Sequence, residues 1–375
     1  MNERRVTLAN VAAKAGVHVT TVSMAMRNNP RLPERTRKRL QALAQEMGYR
    51  PDPLLRALIS YRDEVGHRHD PPTLAYVTNW PTRWGWKNAT GHLDFFNGAE
   101  AMALQLGYKL EHFWLGEPGL THTGLSRMLV SRGITGLILA SHARDLGDSL
   151  QLDWPRFTAV KIDFVPHFPA LHSVSSNLCD AVQLATRKVS GAGYRRIGFV
   201  MHRGWDHALN HLFTAGFLSE QQSLVADERV PPHIFPDQHQ TERWLHEKTA
   251  LPAVDLPAFE RWFREHQPDV LISKEDWVGP ALREMGMGIP RDVAFVELGL
   301  RSTDGHTAGV RFNAATVGRT AVGILAGQLL RNEFGVPEIP TATLVEGTWF
   351  DGQSCPLRSG TALVAATEAR EGADV

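Results

Sequence analysis

The tightest constraint on this chain is Gly16, which stands between two short helical patterns. Thr7 can cap a helix in which Leu8, Val11, Ala12 and Ala15 follow the helical period, and Gly16 supplies the tight turn that ends it. A second pattern then reads His18 to Met26, with Val22 and Met26 facing inward one turn apart. Asn28-Asn29-Pro30 breaks the chain. Pro33-Glu34 opens a longer third helix to about Met47, with Leu40, Leu43, Ala44 and Met47 at core spacing and Gly48 closing it. Two short helices across a glycine turn, followed by a third, predict a helix-turn-helix domain.

Charge sharpens what such a domain can meet. The 375 residues balance 40 Lys and Arg against 40 Asp and Glu, yet residues 1–62 hold twelve basic and four acidic side chains, a net of +8, and the remainder carries −8. Charge alone favours a plain solvated helix face, whereas a basic, compact piece on a mildly acidic body fits one part that meets polyanion and another that does not. In helix-turn-helix geometry the second helix enters the major groove, so His18, Val19, Thr20 and Met24 are the expected base readers.

At 43% hydrophobic and 21% charged residues, the composition is that of a soluble globular chain and excludes collagen, coiled coil and wholesale disorder. No apolar window is long enough to span a bilayer and no apolar segment follows the first residues, so a cytoplasmic location without membrane attachment is expected. Cys179 and Cys355 are too few for a disulfide framework or a cysteine-based metal cluster.

The stretch VTLANVAAKAGVHVTTVSMAMRNNPRLPERTRKRLQALAQEMGYRPDPLLRAL resembles the headpiece and hinge of the lactose-repressor and purine-repressor (LacI-type) family of bacterial transcription regulators. VTLANVA, AGV…TVS, NNPR, TRKR and GYRPDPL carry the resemblance, in order. It implies a homodimer or tetramer on a near-palindromic double-stranded operator, with one recognition helix per half-site. The DNA-contacting set it implies is Thr7, His18, Val19, Thr20, Thr21, Met24, Arg27, Asn28, Arg50 and Leu58. Residues 1–49 would form the headpiece, 50–62 a hinge helix whose Leu58 wedges into the minor groove, and 63–375 the effector-binding and dimerisation domain. Two departures stand out. The family usually has serine at His18, capping the recognition helix, and arginine at Met24; histidine caps poorly, and methionine cannot make the bidentate guanine contact.

From Pro71 onward apolar runs alternate with amphipathic ones, the pattern of parallel α/β layers. Strands are expected at 74–77, 109–113, 136–139, 157–160, 196–200, 269–272 and 292–296, and helices at 93–106, 121–132, 178–192, 206–221, 255–266, 277–286 and 314–332. That exceeds one comfortable sheet and predicts two lobes. FFNGAEAMALQLGY, SRGITGLIL, GYRRIGFV, QPDVLIS…GPALREMGMGIPRDVAFV and TVGRTAV are similar, in order, to the family's periplasmic-binding-protein-like effector domain. The fold expected is therefore an all-α headpiece plus a two-lobed α/β body with a small molecule in the crevice at the carboxyl ends of the strands.

Residues just after strands would line that crevice. Asn79 opens a loop whose aromatic residues Trp80, Trp84 and Trp86, with Phe95 beyond it, are suited to sugar faces or apolar ligands, and equally suited to covering a lobe interior. Asp163, His202, Trp205, Asp276 and Trp277 could offer further anchors. Phe213 stands where sugar-responsive relatives carry arginine, and Glu275-Asp276 where they carry Asn-Asp, which departs from the standard sugar pocket.

No phosphate-loop, nucleophile-elbow or zinc-protease motif occurs, and Gly191-Ala192-Gly193 follows a helix instead of opening one. His207 and His211 could share a helix face but lack a third metal ligand. The sequence thus predicts a ligand-responsive DNA-binding regulator, a repressor answering to a small-molecule effector such as a sugar, with no enzyme activity, cofactor or metal.

Overall fold

The structure is a computed structural model, and the residues described are 6–26, 32–47, 49, 71–89, 91–142, 150–162, 169–236 and 254–358. Packing divides the chain into two units: Met1–Pro71 with Gln328–Glu333, and Pro72–Gly327 with Phe334–Val375.

In the first unit α1 (Leu8–Ala15), α2 (Val19–Met26) and α3 (Glu34–Glu46) follow one another. Thr7 and Asn10 form a reciprocal capping box at the start of α1, satisfying backbone groups that a helix end leaves open. Gly16 closes α1 at φ +66°, a conformation that costs other residues a Cβ clash. Val11, Ala12, Val22, Ala25, Leu40 and Ala44 form the core, and Gln41 Nε2 ties α3 to α2 by donating to the Ala25 carbonyl at 2.9 Å. The inner face of α2 is therefore Val22 and Ala25, with Met26 packed at its margin instead of at its centre.

Among its described residues the second unit contains two sheets of six strands. The first joins β11 (Ala342–Val345), β5 (His172–Ser176), β4 (Thr158–Ile162), β3 (Gly136–His142), β1 (Thr73–Asn79) and β2 (Lys109–Trp114) in that order, all parallel. The second joins β12 (Thr348–Phe350), β10 (Ala308–Arg311), β9 (Ala294–Leu298), β8 (Val270–Ser273), β6 (Ile197–His202) and β7 (His233–Phe235). Only β12 runs antiparallel in it. Central strands are apolar on both faces because helices cover both, as parallel sheets require.

Helices α4 (His92–Gln105) and α5 (His122–Ser131) flank the first sheet, and α6 (Leu178–Gly191), α7 (Arg203–Ala208), α8 (Leu212–Gln221), α9 (Leu256–His266) and α10 (Val278–Glu284) belong to the second. The α11 helix (Ala314–Arg331) returns the chain to the first lobe. There, a Cβ at Gly98 would run into the Ala315 carbonyl and one at Gly318 into the Phe95 carbonyl, so both glycines are what lets α4 and α11 meet backbone to backbone.

Three segments cross between the lobes, after β5, after β10 and between β11 and β12. They are laced together: Ser176 Oγ donates to the Phe312 carbonyl at 3.0 Å, and Asn177 Nδ2 donates to the Glu346 carboxylate at 3.0 Å. Asn313, at φ +53°, donates through Nδ2 to the Glu346 carbonyl at 2.7 Å and to Thr348 Oγ1 at 2.9 Å. All three crossings begin at carboxyl ends of strands, which puts the carboxyl ends of both sheets beside these crossings.

The helix expected over 206–221 is two helices, α7 and α8, with Asn210 and His211 in the left-handed region between them. Asp206, buried, is the reason: its carboxylate accepts from Thr214 N at 3.1 Å and Thr214 Oγ1 at 2.6 Å, capping the new helix.

Candidate functional site

The start of α2 is the exposed edge of the headpiece. The His18 carbonyl accepts from Thr21 N at 2.9 Å, which makes His18 the residue that opens the helix. Its ring takes over the capping role, with Nδ1 3.4 Å from Thr20 N and 2.8 Å from Thr20 Oγ1. The poor cap expected of histidine is thus mended by the neighbouring threonine. His18, Val19 and Thr20 are exposed, while Thr21 and Met24 are half-buried. Lys14, Arg35, Lys38 and Arg39 are exposed cations on the same small unit. Thr7 is exposed, but its hydroxyl is engaged with Asn10 Oδ1 at 2.6 Å. Arg27, Asn28, Arg50 and Leu58, with the whole 50–62 segment, lie outside the described residues.

In the first lobe the loop after β1 folds back over the carboxyl ends of β1 and β2. Trp114 Nε1 donates to the Trp80 carbonyl at 2.8 Å, and Trp80 packs on His92 at 5.4 Å between ring centres. Trp86 is wholly buried among Tyr76, Trp84, Phe96 and His112, its Nε1 donating to the Arg83 carbonyl at 3.1 Å. Trp84 is 49% exposed, with Lys87 Nζ 4.2 Å above its ring and the Arg83 guanidinium at 5.6 Å. Asn79 is half-buried at the end of β1. His112 Nε2 lies 2.7 Å from Thr78 Oγ1; burial, then the charges of Arg83 and Lys87, push the imidazole down to about 4, so it is neutral.

The second lobe presents carboxylates instead. Glu275 follows β8, its carboxyl raised above the usual range by burial and by Asp276, against the opposing pull of Lys274 and the His202 backbone N–H. Glu297, at the carboxyl end of β9, is raised by burial too, with Arg301 pulling it back. Asp276 is exposed, and Lys274 Nζ stands 5.4 Å over the Trp205 ring, which is 37% exposed. Trp277 packs edge-on to Phe235 and Phe259, and its indole N–H has no hydrogen-bond partner among the described residues.

Several expected ligand contacts are corrected by this geometry. Trp86 and Phe213 are core residues, 0% and 1% exposed, and Phe95 is buried where α4 meets α11. His202 is buried and caps α7, its Nδ1 accepting from Gly204 N at 3.1 Å and Trp205 N at 3.3 Å. Asp163 lies outside the described residues. Sequence reasoning left out Lys87, His112, Glu275, Glu297 and Arg301; the lone acid in the apolar run Ala294-Phe295-Val296-Glu297-Leu298 was the available signal.

His207 and His211 fall on either side of the helix break, and no metal-holding group of three His, Cys, Asp or Glu side chains occurs among the described residues. A groove of about 800 Å³ lined by Lys188, Ala192, Trp349, Cys355 and Leu357 lies beside the carboxyl end of α6, and hence on the amino-end side of the second sheet, away from these side chains. No helix among the described residues is long and apolar enough to cross a membrane.

The family model described as bacterial regulatory proteins, lacI family, matches residues 7–52, and that of the periplasmic binding protein-like domain matches residues 186–355. No curated protein matches the chain by sequence. Among solved structures, a putative LacI-family transcriptional regulator from Rhizobium etli is similar at a TM-score of 0.56 and 15% identity, covering 76% of this chain and 99% of that one. The complex of the transcriptional regulator CelR with cellobiose is similar at 0.53 and 19% identity, covering 93% and 100%. The Lac repressor dimer bound to operator and the anti-inducer ONPF is similar at 0.53 and 14% identity, covering 94% and 100%. With a lacI-family helix-turn-helix domain at its start and the two-sheet periplasmic binding protein-like domain after it, the chain is a DNA-binding transcriptional regulator.

Proposed function

We propose that the protein is a repressor that grips a near-palindromic operator as a homodimer and loosens or tightens that grip when a small molecule settles between its lobes. Residues 1–49 act as the headpiece, 50–62 as the hinge and 63–375 as the effector-binding and dimerising body, in a protein that works in the cytoplasm by binding and not by turnover. The observation that carries this reading is the exposed start of α2, with His18, Val19 and Thr20 presented from a basic three-helix unit. Phosphate contacts come from the surrounding cations, including Arg27 and Arg50, and Leu58 wedges the minor groove.

The effector site is the pair of strand carboxyl ends beside the three inter-lobe crossings: Trp80, Trp84 and Asn79 from the first lobe, Trp205, Asp276 and Trp277 from the second. Aromatic faces next to carboxylates suit a polyhydroxylated ring, which stacks its C–H face and donates its hydroxyls. The neighbour solved with cellobiose supports a sugar as the first class to try. A ligand that prefers one closure of the lobes shifts the population of headpiece arrangements and so changes operator affinity.

The test is operator selection by the full chain from randomised duplexes, followed by affinity measurement across salt and with mono- and disaccharides added. A symmetric site whose affinity falls steeply with salt, and changes in the presence of one sugar class, is expected. A salt-independent response would overturn the DNA role, and unchanged affinity and unchanged thermal stability with every sugar would overturn the effector class.

A further inference from the structure

The departure at His18 carries a consequence for base recognition. Two donors converge on one ring nitrogen: Thr20 N–H points at His18 Nδ1 from 3.4 Å, and Thr20 Oγ1 lies 2.8 Å from the same atom. A backbone amide can only donate, so Nδ1 must keep its lone pair, and the hydroxyl hydrogen then turns toward it as well. The neutral imidazole must carry its remaining proton on Nε2. With its hydrogen committed inward, Thr20 Oγ1 keeps lone pairs for an outside donor. The side chains of His18 and Thr20 are exposed, while of the other residues at this edge Val19 and Met24 offer no hydrogen-bond donor and the Thr21 hydroxyl is on a half-buried residue.

We propose that His18 and Thr20 form one composite base reader, in which Thr20 locks the imidazole with Nε2–H outward as a donor while its own oxygen serves as the acceptor. The inference rests on α2 being the recognition helix. Donor and acceptor stand on opposite sides of the imidazole, too far apart for a single purine edge, so they address neighbouring base pairs. The donor suits guanine, whose major-groove edge offers acceptors only; the acceptor suits a base with an exocyclic amino group, adenine or cytosine. Serine at position 18 would cap the helix yet reach no base, and a threonine beside it would be free to donate or accept. The reading is therefore a property of the pair.

The full chain is put through selection on randomised duplexes, and affinities are measured for the chosen site and its single-base variants. The wild type is expected to prefer guanine at one position of each half-site and an amino-bearing base next to it. His18→Ser, which restores a hydroxyl cap, should lose the guanine preference by about tenfold while retaining non-specific binding. Thr20→Val should lose the amino-base preference and also weaken that for guanine, since nothing then fixes the tautomer. Thr20→Ser should keep both. In the double variant His18→Ser/Thr20→Val the guanine discrimination should fall no further than in His18→Ser alone.

Unchanged preferences in His18→Ser, or strictly additive losses in the double variant, would overturn the composite reader and leave the DNA role standing. Failure of the wild type to select any symmetric site would bring down both.

Discussion

The two lobes are built to the same plan and finished with opposite chemistry. Each has five parallel strands in one crossover order, a first strand flanked by the second and third, and a final strand donated from the far end of the chain, parallel in the first lobe and antiparallel in the second. At the carboxyl ends of the first sheet stand Trp80, Trp84, Trp86, Lys87 and a neutral His112; at those of the second stand Glu275, Asp276 and Glu297. Backbone topology therefore fixes where a ligand can sit, while the loops after β1, β8 and β9 fix what it can be. A reader of either lobe alone would name a different ligand class.

The largest effect that can break this contrast is in the core beneath the aromatic end. Trp86→Ala should cost about 3–5 kcal/mol in denaturant unfolding, because a fully enclosed indole leaves a cavity that Tyr76 and Phe96 cannot fill. A loss near zero would mean that the 80–91 loop is an appendage and not part of the lobe.

The next test is in pH, where the two ends pull opposite ways. His112 takes a proton near 6.5 when unfolded but only near 4 in the fold, so the stability it allows is full above 6.5 and falls as pH drops toward 4. Glu275 and Glu297 are raised above 4.5 in the fold, so their contribution is full below about 4.5 and lost as pH climbs through the raised values. His112→Gln should flatten the decline in urea midpoint between pH 6.5 and 4.5. Glu275→Gln should raise the midpoint at neutral pH and leave it nearly unchanged in acid. His233, pushed down to about 4 by burial in the second lobe, also loses stability in acid, so each variant is compared with the wild type and not one lobe with the other. A difference from wild type that grew in the same pH direction for both variants would erase the contrast.

The smallest effect sharpens it. Trp84→Ala should cost under about 1 kcal/mol, since half of the ring is already in water and its partner Lys87 is a surface cation. If that variant nonetheless loses the response to an effector that the wild type shows, the exposed indole is a ligand face. Retention of the full response would assign Trp84 to the surface.

Much of this architecture was legible in advance, for reasons that particular elements make clear. The seven expected strand runs all fall on strands, because β1, β3, β6 and β8 are continuous apolar runs bounded by turn residues. Those missed were β5, β7, β10, β11 and β12. His172-Ser173-Val174-Ser175-Ser176 is too polar to read as a strand, and β11 and β12 are short edges that exist only because a distant strand offers its hydrogen bonds. The headpiece was readable nearly residue by residue, since capping and turns are local chemistry. The ligand end was less so. Sequence shows that Trp80, Trp84 and Trp86 follow a strand, but which indole turns toward α4 is decided by Tyr76 and Phe96, residues on other elements. Glu297 was hidden for the opposite reason, being a single acid in a run that otherwise reads as core.

The crossing of the chain between lobes also bears on how the protein is made. Residues up to 176 emerge from the ribosome with five strands of the first sheet, but β5 keeps an open edge until Ala342–Val345 has been synthesised. Nearly half of the polypeptide intervenes, including most of the other lobe. The nascent chain must therefore carry an unsealed sheet margin through most of translation, and a stop codon anywhere before residue 342 would yield neither lobe complete.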